Sequence, residues 1–361
     1  MRVLQVDSGR EWRGGQNQVR LLCRELTHQR DVENRLFTSR GSELALRVKG
    51  SGGSVVQARW NSGLSLTAFL ALGQAVGALR PDIVHVHDSH ALTLALWLRK
   101  TGPNWIARLI SPGMVKWQPY TIVAHRRVDF HVRPGSGWHQ ADRVIAVSEA
   151  VKRVLVADGI DSRDVVVVPD GIDPYEIGAA ALGAPDIRKR LGLPADTPLA
   201  VNVAALVDHK DQRTLIRAAA SARAGAPRLH WVIAGEGPLR ADLQREIANL
   251  GVGDIVHLVG YVEPVDALIK ESSVFVMSSK EEGMGSVVLH ALALEKPVVA
   301  TAAGGLPEVV APEWLAPVGD ADALAAKTLL ALERAPRTSL PERFTAKAMA
   351  EAILAQYRVL A

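Results

Sequence analysis

Residues 278–308 read SSKEEGMGSVVLHALALEKPVVATAAGGLPE. Two adjacent carboxylates, Glu281 and Glu282, stand directly before Gly283, Met284, Gly285 and Ser286, where a helix opens. The helix gives way at Pro297 to the apolar strand VVAT, which runs into Gly304–Gly305. The preceding segment, SVFVMSS, is itself apolar, so the order is strand, helix, strand, with strands apolar throughout. Strands of that kind belong to a parallel sheet covered on both faces.

The same alternation extends in both directions. Downstream of residue 196 the chain runs PLAVNVAAL, a helix from Gln212, LHWVIAG, a helix from Pro238, IVHLVG, a short helix, then the quoted stretch and a helix from Asp320. The first half repeats the theme: RVLQVD, a helix over about 15–29, a strand near Arg35–Thr38, a helix near Leu66–Leu79, DIVHVH, a helix after His90, TIVAH and RVIAVS. Between the halves, VVVVPDGIDPYEIGAAALGAP is dense in Gly, Pro and Asp and reads as a linker. Two doubly wound α/β domains in tandem are therefore expected, with ligand loops at the carboxyl ends of the strands. The closing helix AKAMAEAILAQYRVLA has no strand after it and is free to return to the first domain.

At 361 residues the chain suits two domains, each with its own core. The start MRVLQVDSG lacks the positive end and apolar centre of a secretory signal. Its most apolar windows, 64–79 and 91–98, fall short of a membrane span. A single cysteine, Cys23, rules out an internal disulfide. Together these readings point to a cytoplasmic protein. The net charge of +4 is modest, but basic and aromatic residues gather between Trp105 and Arg133, where Arg108, Lys116, Arg126, Arg127 and Arg133 alternate with Trp105, Trp117, Tyr120 and Phe130. That stretch is the candidate for acceptor contact or for docking on the inner membrane face. Nothing in it indicates nucleic acid.

Several loops carry chemistry. Gly14–Gly15 bring backbone N–H groups to a helix start. AGEGP at 234–238, including Gly235, is a tight strand-to-helix turn, but Arg240 replaces the third glycine of a dinucleotide fingerprint, which argues against a nicotinamide enzyme. HVHDSH places His85 and His87 on one strand face, yet no fourth ligand of suitable spacing follows, so hydrogen-bonding histidines are preferred to a metal site. Lys210 lies where a cation reaches a phosphate held at nearby helix starts. Amides at Gly283–Ser286 suit a diphosphate, and a carboxylate beside them suits sugar hydroxyls. Together they describe a sugar nucleotide.

Those residues carry a resemblance. SSKEEGMGSVVLHALALEKPVVATAAGGLPE, with the early Gly-Gly loop, DIVHVH, the histidine after TIVA, RVIAVSEAVKRVL and VVPDGID, resembles the retaining family-four glycosyltransferases of the GT-B fold over nearly the whole chain. The resemblance implies two Rossmann-like doubly wound domains facing across a cleft. Residues 1–172 would bind acceptor, residues 173–343 the nucleotide sugar, and helix 344–361 would pack back on the first domain. It implies that Glu282, His125 and Lys210 are catalytic. Glu282 would contact donor-sugar hydroxyls, Lys210 would neutralise the leaving diphosphate, and His125 would lie near the reacting sugar. Gly14, Gly15, Gly235, Tyr261, Val262, Gly283, Met284, Gly285, Ser286, Val287 and His290 would line the donor site, and His87, Arg126 and Arg127 the acceptor side. The substrates would be a UDP, GDP or ADP sugar and a hydroxyl acceptor, glycan or lipid-linked, with no metal or cofactor required.

Three positions depart from the family pattern. His290 stands where a second glutamate binds ribose, and Ala205 where an arginine joins the lysine. Glu295 replaces the glycine that ends the helix. The first two changes raise an alternative, a sugar-nucleotide-binding regulatory protein with little or no turnover.

Overall fold

The computed structural model describes residues 1–60, 65–102, 120–183 and 186–361. Most of the basic aromatic stretch, 105–119, lies outside them. The chain forms two units, one of Met1–Gly171 with Ala346–Ala361, the other of Ile172–Thr345.

The first unit opens with β1 (Arg2–Asp7), α1 (Gly14–Thr27), β2 (Glu33–Ser39), α2 (Glu43–Gly50), β3 (Ser54–Ala58) and α3 (Leu66–Leu79). It continues through β4 (Ile83–Val86), α4 (Ser89–Thr101), β5 (Thr121–Arg126), β6 (Arg143–Ala146), α5 (Glu149–Ala157) and β7 (Val165–Val167). Its seven strands are parallel in the order β3-β2-β1-β4-β5-β6-β7. The chain thus begins at the centre, winds outward to β3, and crosses back to β4. Loops after β1 and β4 diverge from that reversal, the position where such sheets take ligands.

The second unit holds α6 (Pro174–Ala180), α7 (Ile187–Arg190), β8 (Leu199–Val203), α8 (Gln212–Ala222), β9 (His230–Ala234), α9 (Arg240–Asn249) and β10 (Val256–Gly260). After these come α10 (Val265–Glu271), β11 (Val274–Met277), α11 (Ser286–Ala293), β12 (Val298–Thr301), β13 (Leu315–Ala316) and α12 (Ala321–Arg334). The sheet order is β10-β9-β8-β11-β12-β13, again parallel, with its reversal between β8 and β11. Its core packs Trp231, Leu215, Ile216, Leu243, Val274 and Leu324 between sheet and helices. β11 and β12 are buried along their whole length and leave no polar face to set the register, so the helices on both sides do.

The last helix, α13 (Ala346–Leu360), buries Met349, Ile353, Leu354 and Tyr357 in the first unit's core, beside Leu21, Leu22 and Val123. These positions recur every three or four residues, so they share one helical face.

Three local expectations are corrected. The proposed linker begins inside the first sheet, because the valines 165–167 pair with β6 as an edge strand, and Asp173 caps α6 by accepting from the N–H groups of Tyr175 and Glu176. Helix α2 and strand β3 were not read from the sequence, since Gly50, Gly52 and Gly53 mask a short amphipathic pair. Tyr120, in the stretch expected to contact acceptor or membrane, is instead buried and donates its hydroxyl proton to the carbonyl of Ala95 at 2.8 Å.

Candidate functional site

In the second unit the reversal brings the loops after β8 and β11 side by side. Lys280 N–H donates to the carbonyl of His209 at 2.8 Å, and Ser278 Oγ to the carbonyl of Lys210 at 3.0 Å. Between them Lys210 Nζ meets Glu282 Oε2 at 2.5 Å, with side chains only 19% and 11% exposed. Ser279 Oγ donates to the same carboxylate oxygen at 3.2 Å, and Thr301 Oγ1 anchors that loop from β12 through the carbonyl of Ser279 at 2.6 Å. Residues 72 positions apart in the chain thus close into one ion pair. Lys210 and Glu282, assigned separately to diphosphate and sugar, are direct neighbours.

The helix beyond Glu282 opens later than expected, at Ser286. Gly285 precedes it at φ +80°, and a β-carbon there would stand 2.7 Å from Leu306 Cδ2. No side chain caps α11 and no acid stands in its first turn, which leaves a positive helix end for an anion. Met284 is buried, so its side chain packs inside the fold rather than facing a ligand. Gly305 N–H donates to the carbonyl of Glu282 at 2.9 Å, tying the second glycine turn to the acid.

Gly235 ends β9 at φ +144°, where a β-carbon would lie 1.9 Å from the carbonyl oxygen of Ala204. The glycine lets the loops after β8 and β9 touch; Ala204 N–H in turn donates to the carbonyl of Ala234. Tyr261 and Val262 follow β10, Tyr261 exposed and donating to Glu263 at 3.1 Å, Val262 buried. His290 is held differently from a ribose-binding carboxylate. Its Nδ1 lies 2.7 Å from Asp266 Oδ1 on α10, both side chains largely buried. Sequence reasoning missed Asp266, which has no pattern of its own and meets His290 only because α10 and α11 pack together.

In the first unit, β4 and β5 run side by side and place His125 beside His85 and His87. Arg127 Nη2 reaches His125 Nδ1 at 3.1 Å, Nη1 reaches His87 Nδ1 at 3.3 Å, and Nε donates to buried Asp170 at 3.1 Å. All three imidazoles are held well below their usual pKa, chiefly by burial, with the charge of Arg127 adding to it. They are neutral at pH 7. Asp170 moves the other way, raised by burial although Arg127 opposes the rise.

Arg126, expected on the acceptor side, lies apart from the histidines. Strand alternation turns it to the opposite face from His125, where it donates to the carbonyls of Val128 and Phe130 and lies over the ring of Trp138. Asp88 of HVHDSH is a helix cap, accepting from the N–H groups of His90 and Ala91 at 2.9 Å. Gly14 and Gly15 open α1 without a side-chain cap, and a β-carbon at Gly15 would meet nothing within 4 Å.

The geometry matches known proteins in both halves. Residues 12–176 match the family described as Glycosyltransferase Family 4, and residues 184–350 the one described as Glycosyl transferases group 1. The chain belongs to the family-four glycosyltransferases. This glycosyltransferase is 28% identical to the 2-deoxystreptamine glucosyltransferase of Streptomyces kanamyceticus, over 77% of its own length and 78% of that protein's. It is 31% identical to the lipopolysaccharide core biosynthesis glycosyltransferase LpsE of Rhizobium meliloti, over 43% of this chain and 46% of the other. Among solved structures, Anabaena HepE in complex with UDP and glucose superposes with a TM-score of 0.73 at 19% identity, covering 100% of this chain and 97% of that one. A glycosyltransferase from Rickettsia africae reaches 0.77 at 16% identity, covering 99% and 98%. The fold is GT-B. Among the described residues no helix is long and apolar enough to cross a membrane.

Proposed function

We propose that this glycosyltransferase is a retaining, metal-independent enzyme that moves a sugar from a nucleoside diphosphate donor to a hydroxyl acceptor. The observation that carries the reading is the Lys210–Glu282 pair at the reversal of the second sheet, beside the uncapped start of α11. An arriving diphosphate can take the Lys210 ammonium and the amides of 283–287, leaving Glu282 to accept from sugar hydroxyls. As the bond from the anomeric carbon to the phosphate oxygen breaks, the electron pair leaves with the diphosphate. The acceptor oxygen bonds to the same face of the sugar, and its proton passes to the departing phosphate oxygen. Fixed dipoles and one cation meet the developing charge.

The relatives support a donor of this kind, since HepE was captured with UDP and glucose. LpsE and the lipopolysaccharide outer core galactosyltransferase WaaB motivate an envelope glycan or lipid-linked acceptor reached from the inner membrane face. A second reading, a sugar-nucleotide binder with little turnover, draws on the engagement of His290 with Asp266 and on Ala205, which supplies no cation to the diphosphate.

Calorimetric titration with UDP, GDP and ADP tests the site. One nucleotide should bind selectively and lose at least about tenfold in affinity in Lys210→Ala, the scale of a charge-assisted contact. Absence of binding by all three would sink the donor-site assignment.

A second test separates scaffold from function at the Gly-Gly loop. Because Gly15 has open space around it and sits in the first turn of α1, Gly15→Ala should leave stability unchanged or raise it by up to ~1 kcal/mol. If a phosphate or sugar approaches that backbone, turnover should fall nonetheless. Equal turnover would remove Gly15 from the site.

A further inference from the structure

The buried polar groups along β1, β4 and β5 constrain where their protons sit. Arg127 can only donate, so the Nδ1 atoms of His87 and His125 that it reaches are acceptors. In neutral imidazoles the proton then sits on Nε2. His87 Nε2–H donates to Gln5 Oε1 at 2.8 Å, which fixes the Gln5 amide. Gln5 Nε2 donates its two protons to Asn34 Oδ1 at 3.1 Å and to Tyr357 Oη at 3.2 Å. Tyr357 accepts there, and among the described residues His85 Nδ1, 2.5 Å away, is the acceptor within reach of its own hydroxyl proton. His85 is therefore a third Nε2–H tautomer. The row ends at two buried atoms with no protein partner, His85 Nε2 and His125 Nε2, and both are donors.

This direction of donation changes the meaning of the cluster. By distance alone the three histidines could hold a metal ion, with one ligand atom from each lying within 4.8 Å of the others. Metal coordination needs a bare nitrogen lone pair. Here every Nδ1 is engaged and every Nε2 is protonated, with a guanidinium 3.1–3.3 Å from two of the rings.

We propose that Arg127 and Tyr357 are positioning residues that hold His85, His87 and His125 as Nε2–H tautomers, closing the cluster to metal ions and leaving the Nε2–H groups of His85 and His125 as its unpartnered donors. The turnover readout below rests on the glycosyl-transfer reading above. The tautomers do not. Tyr357 acts from α13, so the returning helix takes part in the chemistry of strands encoded more than 200 residues earlier.

The test is nuclear magnetic resonance of the full chain with isotope-labelled imidazole nitrogens at pH 7. All three histidines should show a protonated Nε2 and an acceptor Nδ1. An Nδ1–H tautomer or an imidazolium at any of them would overturn the proposal. So would stoichiometric Co2+ uptake by the wild-type chain that His85→Ala abolishes; no such uptake is expected. In Tyr357→Phe the His85 signals should spread over both tautomers, those of His125 should hold, and turnover should fall about 10-fold with nucleotide affinity unchanged, the scale seen when a residue orients a functional group through a hydrogen bond. If His85 keeps a single Nε2–H tautomer in that variant, Tyr357 is not a positioning residue. Wild-type tautomers as stated, in a chain that transfers no sugar, would count against glycosyl transfer and leave the tautomer assignment standing.

Discussion

Lys210→Ala is expected to lower kcat/KM for glycosyl transfer by about a thousandfold, at the upper end of what one preorganised charge contributes to a transition state. The reason lies in its partner. Lys210 Nζ sits 2.5 Å from Glu282 Oε2 in a largely buried site, so its removal leaves the carboxylate facing the incoming diphosphate. Both the charge that should develop on the leaving oxygen and the charge already present on Glu282 then go uncompensated. The loss in kcat/KM should exceed the loss in nucleotide affinity measured in parallel, because departure adds charge that the ground state lacks. A loss seen only in affinity would confine Lys210 to ground-state binding. Glu282→Ala should also abolish transfer and slow donor hydrolysis, and Lys210→Ala with Glu282→Ala together should cost less than the sum, since the two act as a unit. Full activity of Glu282→Ala would remove the pair from the mechanism.

Acidification should destabilise the first unit steeply. His85, His87 and His125 have folded pKa values held well below 6.5 by burial, with Arg127 adding to it. In the unfolded chain they take up protons at about 6.5. Below that pH the unfolded state binds more protons than the folded one, so stability falls as pH falls. Each histidine contributes a slope of up to ~1.4 kcal/mol per pH unit. Asp7, in the same unit, opposes the trend. Burial first and Asp88 second raise its carboxyl to about 6, so it gains a proton in the folded state before the unfolded one does. Its offset is on the order of 1 kcal/mol between pH 7 and 5.5, and Asp170, also raised by burial, acts in the same sense. Each histidine that stays neutral in the fold costs up to ~1.3 kcal/mol over that interval, so the three together outweigh the carboxyls. Thermal unfolding at pH 7.5 and 5.5 checks this: a Tm that does not drop at the lower pH would contradict neutral buried histidines. In His85→Gln the drop should be smaller than in the wild-type chain by more than a third.

The parallel sheets were legible because buried strands read as apolar runs and their helices as amphipathic ones. Lys210 and Glu282 were legible because each sits in a strand-to-helix loop, where a doubly wound sheet exposes backbone and side chains to ligand. Elements failed to show where the local signal was weak. β7 is three valines beside a Pro-Asp-Gly turn, and its strand character comes from pairing with β6. α2 and β3 are short and separated by glycines, so periodicity has little length to act on.

Pairings between distant residues were beyond any local pattern. The sequence by itself determined the fold class, the strand-to-helix loops, and the acid and lysine that those loops carry, because hydropathy period and loop chemistry are properties of neighbouring residues. Tertiary structure alone decided that Lys210 bonds Glu282, that His290 turns to Asp266, and that Arg127 faces the histidines while Arg126 does not. It also decided that Tyr357 completes a row begun at Arg127. Each of these depends on strand order, strand-face alternation or helix packing, which bring together residues that no spacing in the chain connects.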